Sequence, residues 1–369
     1  MFRRHFLFLI VAAVSAELFG GLARAADTTL AENVAATKPA ATEAAPHIAL
    51  LLPLNANGFR QPAEIVRQGF LAAAKAQPDA PPVRIYPTTD DVGDVLTVYT
   101  QALSQGARVV VGPLTRNAVT TLATSDRVVV PTLSLSTPDQ DKLSIPPQLY
   151  LFGLSIEEEA RQVAQMAMQD GYRRPLVVAA ETSLAKRMEA AFSEQWQKLG
   201  GLPVSHLRFG AGKDPSGLRG LVEKADADMI FLAANAQESR GVRPYLASTL
   251  PTYATSQVFA GRTQDPRNVD LGGIRFIDMP WLLEPDHPAV MVYPHSETVI
   301  GAEFERLYAL GIDALRLAST LYRDKTLSST TAIDGVTGRL TLGRDHVIQR
   351  ELLSAEFQQD SVVVIDAKP

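Results

Sequence analysis

The chain has 369 residues, of which 46% are hydrophobic and 20% charged, a globular composition long enough for two lobes, each with its own core. Its formal net charge is −5, and an acidic chain without a basic run is a poor binder of nucleic acid or of an anionic membrane. Cysteine is absent from the sequence, which excludes disulfides, thiolate metal sites, cysteine nucleophiles and lipid attachment through a cysteine.

The first residues have the pattern of an export signal. Two arginines precede an apolar run over residues 6–16, and Ala23-Arg24-Ala25 forms a small-x-small cleavage site. We therefore expect residues 1–25 to be a signal peptide that is cleaved after Ala25 and directs the chain to the periplasm. An uncleaved anchor is the alternative, although the run is too short to span a bilayer. The paired arginines leave open whether export uses the Sec or the twin-arginine route.

Residues 26–46 are rich in alanine and threonine and show no apolar periodicity, so we expect a flexible tether. From His47 onward, apolar runs of strand length alternate with amphipathic segments of helical length. The runs are continuously apolar, as in parallel strands that helices cover on both faces. One helix is predicted to open at Pro62, and the others cover residues 93–105, 117–124, 156–170, 184–199, 218–224, 236–247 and 306–324.

Two consecutive series of these units predict an α/β fold with two doubly wound parallel-sheet lobes and a cleft between them. We assign residues 47–152 plus about 275–330 to lobe 1. Residues 153–274 plus about 331–369 form lobe 2. Within the latter part, Asp334-Gly335 is a tight-turn signal that predicts a hairpin.

Three features resemble catalytic or metal-binding motifs without completing them. Ser183 and Lys186 fit Ser-x-x-Lys, but no Ser-x-Asn or Lys-Thr-Gly partner accompanies them, and Ser183 can instead satisfy free N–H groups at a helix start. The loop at residues 209–217 lacks the first glycine of a phosphate-binding loop. The six histidines are scattered without ligand spacing. We therefore expect no catalytic residue, no metal site and no cofactor.

Seven stretches, in this order, resemble the penicillin-binding-protein activator family, and specifically the periplasmic binding-protein-like domain of the activator lipoproteins. More broadly, they resemble type I periplasmic solute-binding proteins, including those for leucine, isoleucine and valine. The stretches are IALLLPLNANGFRQPAEIVRQGFLAA, VVVGPLTRNAVTTLA, PTLSLST, PTYATSQVFAG, GIRFIDMPWLL, RLYALGIDALRLA and DGVTGRLTLG. The resemblance covers about residues 47–364. Members anchored in the outer membrane carry a lipid-modified cysteine, whereas this sequence has none, so we expect a soluble periplasmic protein.

Polar loops at the carboxyl ends of the predicted strands are the candidate ligand site. Hydroxyl, amide and backbone N–H groups suit a small polar or amino-acid-like ligand. In the solute-binding proteins that the chain resembles, the loops matching Leu114-Thr115 and residues 134–137 hold the α-carboxylate and amine of the ligand. The alternative is that these groups only form turns and cap helices. The candidates are Asn57, Phe59, Thr115, Ser134, Ser136 and Thr137 in the first lobe, and Glu181, Ser183 and Gln257 in the second.

Trp281 can either pack in the core or stack on a ligand.

The resemblance implies a non-enzymatic periplasmic factor of the cell envelope that regulates or activates peptidoglycan synthesis through contact with a penicillin-binding protein. The alternative is the solute-binding receptor of an ABC transporter for an amino-acid-like ligand, and the shared fold cannot separate the two. A small polar ligand is thus a second candidate partner, whereas nucleic acid and a membrane span are not expected.

Overall fold

The computed structural model describes residues 45–140, 143–210, 214–247, 249–295, 301–330 and 332–365. The expected signal peptide and nearly all of the expected tether lie outside these residues. The described residues form two main sheets flanked by helices and a smaller third sheet. The predicted α/β fold with two parallel-sheet lobes is confirmed.

The first sheet has five parallel strands in the order β2-β1-β3-β4-β5. Its central strand β1 is buried along its whole length, as expected for a strand between two helix layers. The first helix begins two residues before Pro62, whose missing N–H is tolerated because the first N–H groups of a helix have no intrahelical partner. The strands are β1 (His47–Leu52), β2 (Val83–Pro87), β3 (Ala107–Val111), β4 (Thr132–Ser134) and β5 (Leu149–Leu151), and the helices are α1 (Arg60–Ala76), α2 (Val92–Ser104) and α3 (Arg116–Ala123).

The second sheet has seven strands in the order β15-β14-β10-β9-β8-β6-β7. The first five in sequence are parallel, whereas β14 and β15 are antiparallel additions at one edge that the sequence pattern did not reveal. The strands are β6 (Pro175–Ala180), β7 (Ser205–Phe209), β8 (Met229–Ala233), β9 (Thr252–Ala254), β10 (Ile274–Asp278), β14 (Leu353–Gln358) and β15 (Ser361–Ile365). Its helices are α4 (Ile156–Gln169), α5 (Ser183–Lys198), α6 (Ser216–Lys224) and α7 (Ala236–Val242), the last followed by a 3-10 turn at Arg243–Tyr245.

The chain leaves the second sheet after Asp278, because β10 pairs with both β9 and β14. It continues through the short helix α8 (Pro280–Leu283) to the long helix α9 (Ala302–Asp324). α9 packs against α1 of the first lobe. The lobe assignment otherwise stays a proposal, with α9 in lobe 1.

The third sheet contains the predicted hairpin, but its turn is not where the sequence placed it. β11 (Ile333–Gly335) and β12 (Gly338–Leu342) are joined by Val336 and Thr337, and β13 (Ile348–Glu351) completes the sheet. The buried carboxylate of Asp313 on α9 accepts hydrogen bonds from the backbone N–H groups of Val336 at 3.2 Å and Thr337 at 2.8 Å. These bonds fix the turn one step beyond the Asp-Gly pair, whose residues belong to β11.

Candidate functional site

The candidates of the first lobe lie at or after the carboxyl ends of β1, β3 and β4. Ser134 is fully buried, and its hydroxyl donates a hydrogen bond to the carbonyl oxygen of Ser136 at 2.8 Å. Thr115 precedes α3 as its N-cap residue without a side-chain capping bond. The Ser134 hydroxyl therefore stabilises its own loop. Of the remaining candidates in this lobe, Asn57 and Phe59 are exposed, and Ser136 and Thr137 are half-buried.

The candidates of the second lobe lie on two different loops. Ser183 is the exposed first residue of α5, but the hydroxyl of Thr182 is the one that caps this helix, accepting the N–H of Ala185 at 3.1 Å. The expectation that Ser183 caps the helix is therefore wrong by one residue. Glu181 is exposed, and its backbone N–H donates to Phe209 at 2.8 Å. Gln257 lies after β9 and lines a cavity that is described below.

A chain of ion pairs links the loops of the two lobes. Arg116 at the start of α3 contacts the carboxylate of Glu157 in the first turn of α4 at 3.3 Å. Arg187 on α5 contacts the same Glu157 oxygen at 2.7 Å. Burial raises the pKa of Glu157, but hydrogen bonds from its own backbone and from Arg187, together with both positive charges, outweigh it and lower the pKa. Glu157 is thus held ionised between two guanidinium groups.

A second group of charges is buried where α4, β10 and α9 meet. The guanidinium of Arg306 on α9 binds Asp278 through Nη2 at 2.6 Å and through Nε at 3.2 Å. The same Nη2 also donates to the backbone carbonyls of Ser256 at 2.9 Å and Phe259 at 3.2 Å. Burial alone would lower the pKa of Arg306, but the carboxylate of Asp278 raises it instead. Arg306 is therefore a fixed positive charge that joins α9 to β10 and to the segment after β9.

Glu159 lies beside this pair and has weaker partners. Its carboxylate accepts the backbone N–H of Ser256 at 3.2 Å and is 3.5 Å from Nη2 of Arg350 on β13. Arg350 also donates to the carbonyls of Gly153 at 3.2 Å and Thr337 at 3.3 Å. Burial raises the pKa of Glu159, and the nearby Arg350 only partly offsets that effect.

A cavity of about 170 Å³ opens next to Glu159. Its polar lining includes Ser256, which is 1% exposed and whose hydroxyl has no hydrogen-bond partner among the described residues. The lining residues are Leu154, Ile156, Glu159, Ser256, Gln257, Glu303, Arg306 and Leu307. Of the nine candidates named from the sequence, Gln257 alone lines this cavity.

The sequence carried a signal for these buried charges that the motif search did not use. On α4, Ile156, Glu159, Ala160 and Val163 are all buried, and their spacing is that of one helix face. On α9, Arg306 and Asp313 likewise lie among buried apolar residues. A charged residue in the apolar stripe of a helix needs a buried partner, so its position indicates that such a partner exists.

A second cavity, of about 330 Å³, lies between the end of α9 and the third sheet.

Trp281 is 2% exposed, and its indole N–H donates to Glu305 at 2.8 Å, so it packs in the core.

Among the described residues, no group of three or more histidine, cysteine, aspartate or glutamate side chains could hold a metal ion. In the same ranges, no helix is long and apolar enough to cross a membrane.

The two lobes, with their doubly wound sheets and strand-end loops, define a type I periplasmic binding-protein-like fold. The chain belongs to the LppC family, whose model, described as "LppC putative lipoprotein", matches residues 25–214 and 216–360. The resemblance drawn from the sequence is thereby confirmed. The family description names a lipoprotein, whereas this sequence contains no cysteine.

Curated relatives carry the name penicillin-binding protein activator LpoA. The protein of Photobacterium profundum is 29% identical, with 86% of this chain and 56% of the relative covered. The protein of Pantoea ananatis is 28% identical, with 82% of this chain and 50% of the relative covered. The chain therefore spans about half the length of the curated relatives that it matches.

Two solved structures show the same fold. The LpoA C-domain from Haemophilus influenzae, described as a regulator of PBP1A, has a TM-score of 0.74 and 24% identity, with 87% of this chain and 100% of that chain covered. A protein from Chromobacterium violaceum, described as a "putative branched-chain amino acid ABC transporter", has a TM-score of 0.72 and 36% identity, with 84% and 99% covered.

Proposed function

We propose that this chain is a periplasmic, non-enzymatic factor that regulates a penicillin-binding protein in peptidoglycan synthesis through protein contact. The observation that carries the proposal is the family match over residues 25–214 and 216–360. The activator names of the curated relatives and the C-domain fold of a PBP1A regulator support it. Because the chain spans about half of those relatives, the binding-protein-like domain itself is proposed to make the contact.

The internal bonds of the strand-end loops support protein contact over ligand capture. The Ser134 hydroxyl is already bonded within its own loop, and Arg116, Glu157 and Arg187 connect the two lobes with the side chains of the protein itself. A receptor closes on its ligand because the closed state gains contacts that the open state lacks. In this structure, the ion pairs of Glu157 with Arg116 and Arg187 already make contacts between the two lobes.

The second candidate function is a solute-binding receptor for an amino-acid-like ligand, which the Chromobacterium violaceum relative favours. For that function the nine strand-end candidates stay the proposed ligand contacts. A bound ligand stabilises a folded receptor by about 2.7 kcal/mol at a hundredfold excess over Kd, which is visible in a melting curve. The resemblance implies that the loops at Leu114-Thr115 and residues 134–137 hold the α-carboxylate and amine of such a ligand, so Thr115→Ala and Ser136→Ala should abolish that shift.

One pair of measurements separates the two functions. The purified chain is added to a bifunctional penicillin-binding protein of its own organism, and the rate of glycan polymerisation and cross-linking is measured. In parallel, melting is measured with each of the twenty amino acids. We expect the added chain to raise the rate of glycan polymerisation and cross-linking, and no amino acid to shift the melting temperature. An unchanged rate of synthesis, together with a melting shift that Thr115→Ala abolishes, would contradict the regulator function and support the receptor function.

Processing is tested by the intact mass of the exported protein. We propose that the mature chain begins at Ala26, because Ala23-Arg24-Ala25 is a small-x-small cleavage site. We also propose that it stays in the soluble periplasmic fraction, because no cysteine is present to accept lipid. A mass that includes residues 1–25, or one that includes a lipid, would contradict this proposal.

A further inference from the structure

The cavity beside Glu159 has the features of a small binding site that lies apart from the strand-end loops of the first lobe. It is formed by the first turn of α4, the segment after β9 and the first turns of α9. We propose that this cavity binds a small primary alkylammonium group, with the ammonium held by Glu159, Ser256 and Gln257. This site goes beyond the proposed contact with a synthase and does not depend on it.

One polar group of the cavity lacks a hydrogen-bond partner, and a second has acceptor capacity left over. Ser256 is 1% exposed, and its hydroxyl oxygen has no hydrogen-bond partner among the described residues. A buried unsatisfied hydroxyl costs free energy unless a ligand or ordered water bonds to it. Glu159 receives one N–H bond at 3.2 Å and one guanidinium at 3.5 Å, which leaves acceptor capacity on its two oxygens. An ammonium group has three donors and suits this pair.

The charges of the lining favour a cation over an anion. Two carboxylates, Glu159 and Glu303, line the cavity with a single guanidinium, that of Arg306. Arg306 is already paired with Asp278 through two hydrogen bonds, at 2.6 and 3.2 Å. An anionic ligand would meet both carboxylates while Arg306 stayed committed to Asp278. A cation would supply the buried carboxylate of Glu159 with a closer positive charge.

The size and the apolar wall limit the rest of the ligand. The volume of about 170 Å³ is close to that of cavities of about 150 Å³ that hold benzene. Leu154, Ile156 and Leu307 line it beside the polar groups, and their aliphatic side chains suit a short hydrocarbon chain. A ligand of about five to eight non-hydrogen atoms, such as n-butylammonium, matches both features.

The experiment titrates the purified chain with n-butylammonium chloride and with n-butanol, a neutral analogue of the same length, and records the amide NMR signals of Glu159, Ser256 and Gln257. We expect saturable shifts with n-butylammonium and at least tenfold weaker binding of n-butanol. Glu159→Gln should abolish the shifts and Ser256→Ala should weaken binding at least threefold. Glu158→Gln, an exposed neighbour on the same helix, is the matched control and should change nothing.

Equal affinity for the alcohol and the amine would overturn the proposal, and so would shifts that do not saturate, which would indicate a cavity that holds only water. If Glu159→Gln does not fold, Ser256→Ala decides, since it removes one neutral hydroxyl and leaves the charges of the site unchanged. Unchanged binding in Ser256→Ala would also count against the site. An affinity loss of equal size in Glu158→Gln would show that the effect is a general one of surface charge.

Discussion

A Cβ atom built on Gly311 would lie 2.2 Å from the backbone carbonyl oxygen of Val66. A Cβ on Gly69 would likewise lie 2.0 Å from the carbonyl oxygen of Tyr308. The two glycines therefore let the backbones of α1 and α9 touch where the helices pack. On sequence grounds Gly311 only weakens a helix, but in the structure it permits the close contact between α1 and α9.

Gly311→Ala should therefore destabilise the protein, although alanine is the better helix former. The new methyl group cannot fit without separating α1 from α9, and overpacking of this kind costs about 1–3 kcal/mol or more. Gly220→Ala in α6 is the matched control, because nothing lies within 4 Å of its Cβ position. The control should be neutral or stabilise by up to about 1 kcal/mol. Denaturant unfolding measures both, and equal effects would contradict the close packing.

The cap of α5 provides a second prediction. Thr182→Ala should cost about 0.5–2 kcal/mol of unfolding free energy, because it removes the oxygen that accepts the Ala185 N–H at 3.1 Å. Ser183→Ala, one residue further, should stay within about 0.5 kcal/mol. A fluorescent penicillin should label neither variant nor the wild type. Covalent labelling of the wild type that Ser183→Ala removes would instead identify Ser183 as a nucleophile.

β1, the start of α5 and the hairpin turn show which parts of the structure could be predicted from sequence. The position of β1 was predictable because its burial comes from a continuous apolar run. The start of α5 was predicted within one residue, but which of two adjacent hydroxyls caps it depends on backbone angles that propensity does not specify. The hairpin turn was misplaced because the buried carboxylate of Asp313 outweighs the local preference of Asp334-Gly335.

The candidate site was less predictable because its partners are distant in sequence. Glu159 is paired with Arg350, and Asp278 with Arg306. Pattern analysis shows that a charge lies in an apolar stripe, but the partner follows only from the way β10, β13 and α9 pack around α4. The strand-end candidates were selected by loop position, which places residues at the correct sheet edge without showing which hydroxyls are already bonded internally.

Breaking the buried Arg306–Asp278 pair should be strongly destabilising. Asp278→Asn leaves the guanidinium of Arg306 buried without its charge partner, and such a change costs about 3–5 kcal/mol. Glu194→Gln is the matched control, because Glu194 pairs with Lys198 at 2.8 Å on the exposed face of α5. That change should cost no more than about 1 kcal/mol. Urea unfolding measures both losses of unfolding free energy. Losses of similar size in the two variants would show that the buried ion pair matters no more for stability than the exposed one.

Glu157 should make a pH-dependent contribution to stability. Its pKa in the folded protein is lowered from 4.5, since the bonds and charges of its backbone N–H, Arg187 and Arg116 outweigh the opposing effect of burial. The folded state therefore binds fewer protons than the unfolded state in this range, and stability rises with pH. The contribution is fully present above the unfolded pKa, near 4.5, and is lost as the pH falls through the folded pKa.

Glu157→Gln should consequently cost most at neutral pH, and its difference from the wild type in unfolding free energy should shrink as the pH falls below about 4.5. Urea unfolding of both proteins between pH 7 and about pH 3 measures this difference. In an Arg187→Met background the pH-dependent part should be smaller, because the guanidinium that lies 2.7 Å from the carboxylate is gone. A difference that stays constant with pH, or one that grows on acidification, would mean that the ion pairs joining Arg116, Glu157 and Arg187 do not hold the lobes together in solution.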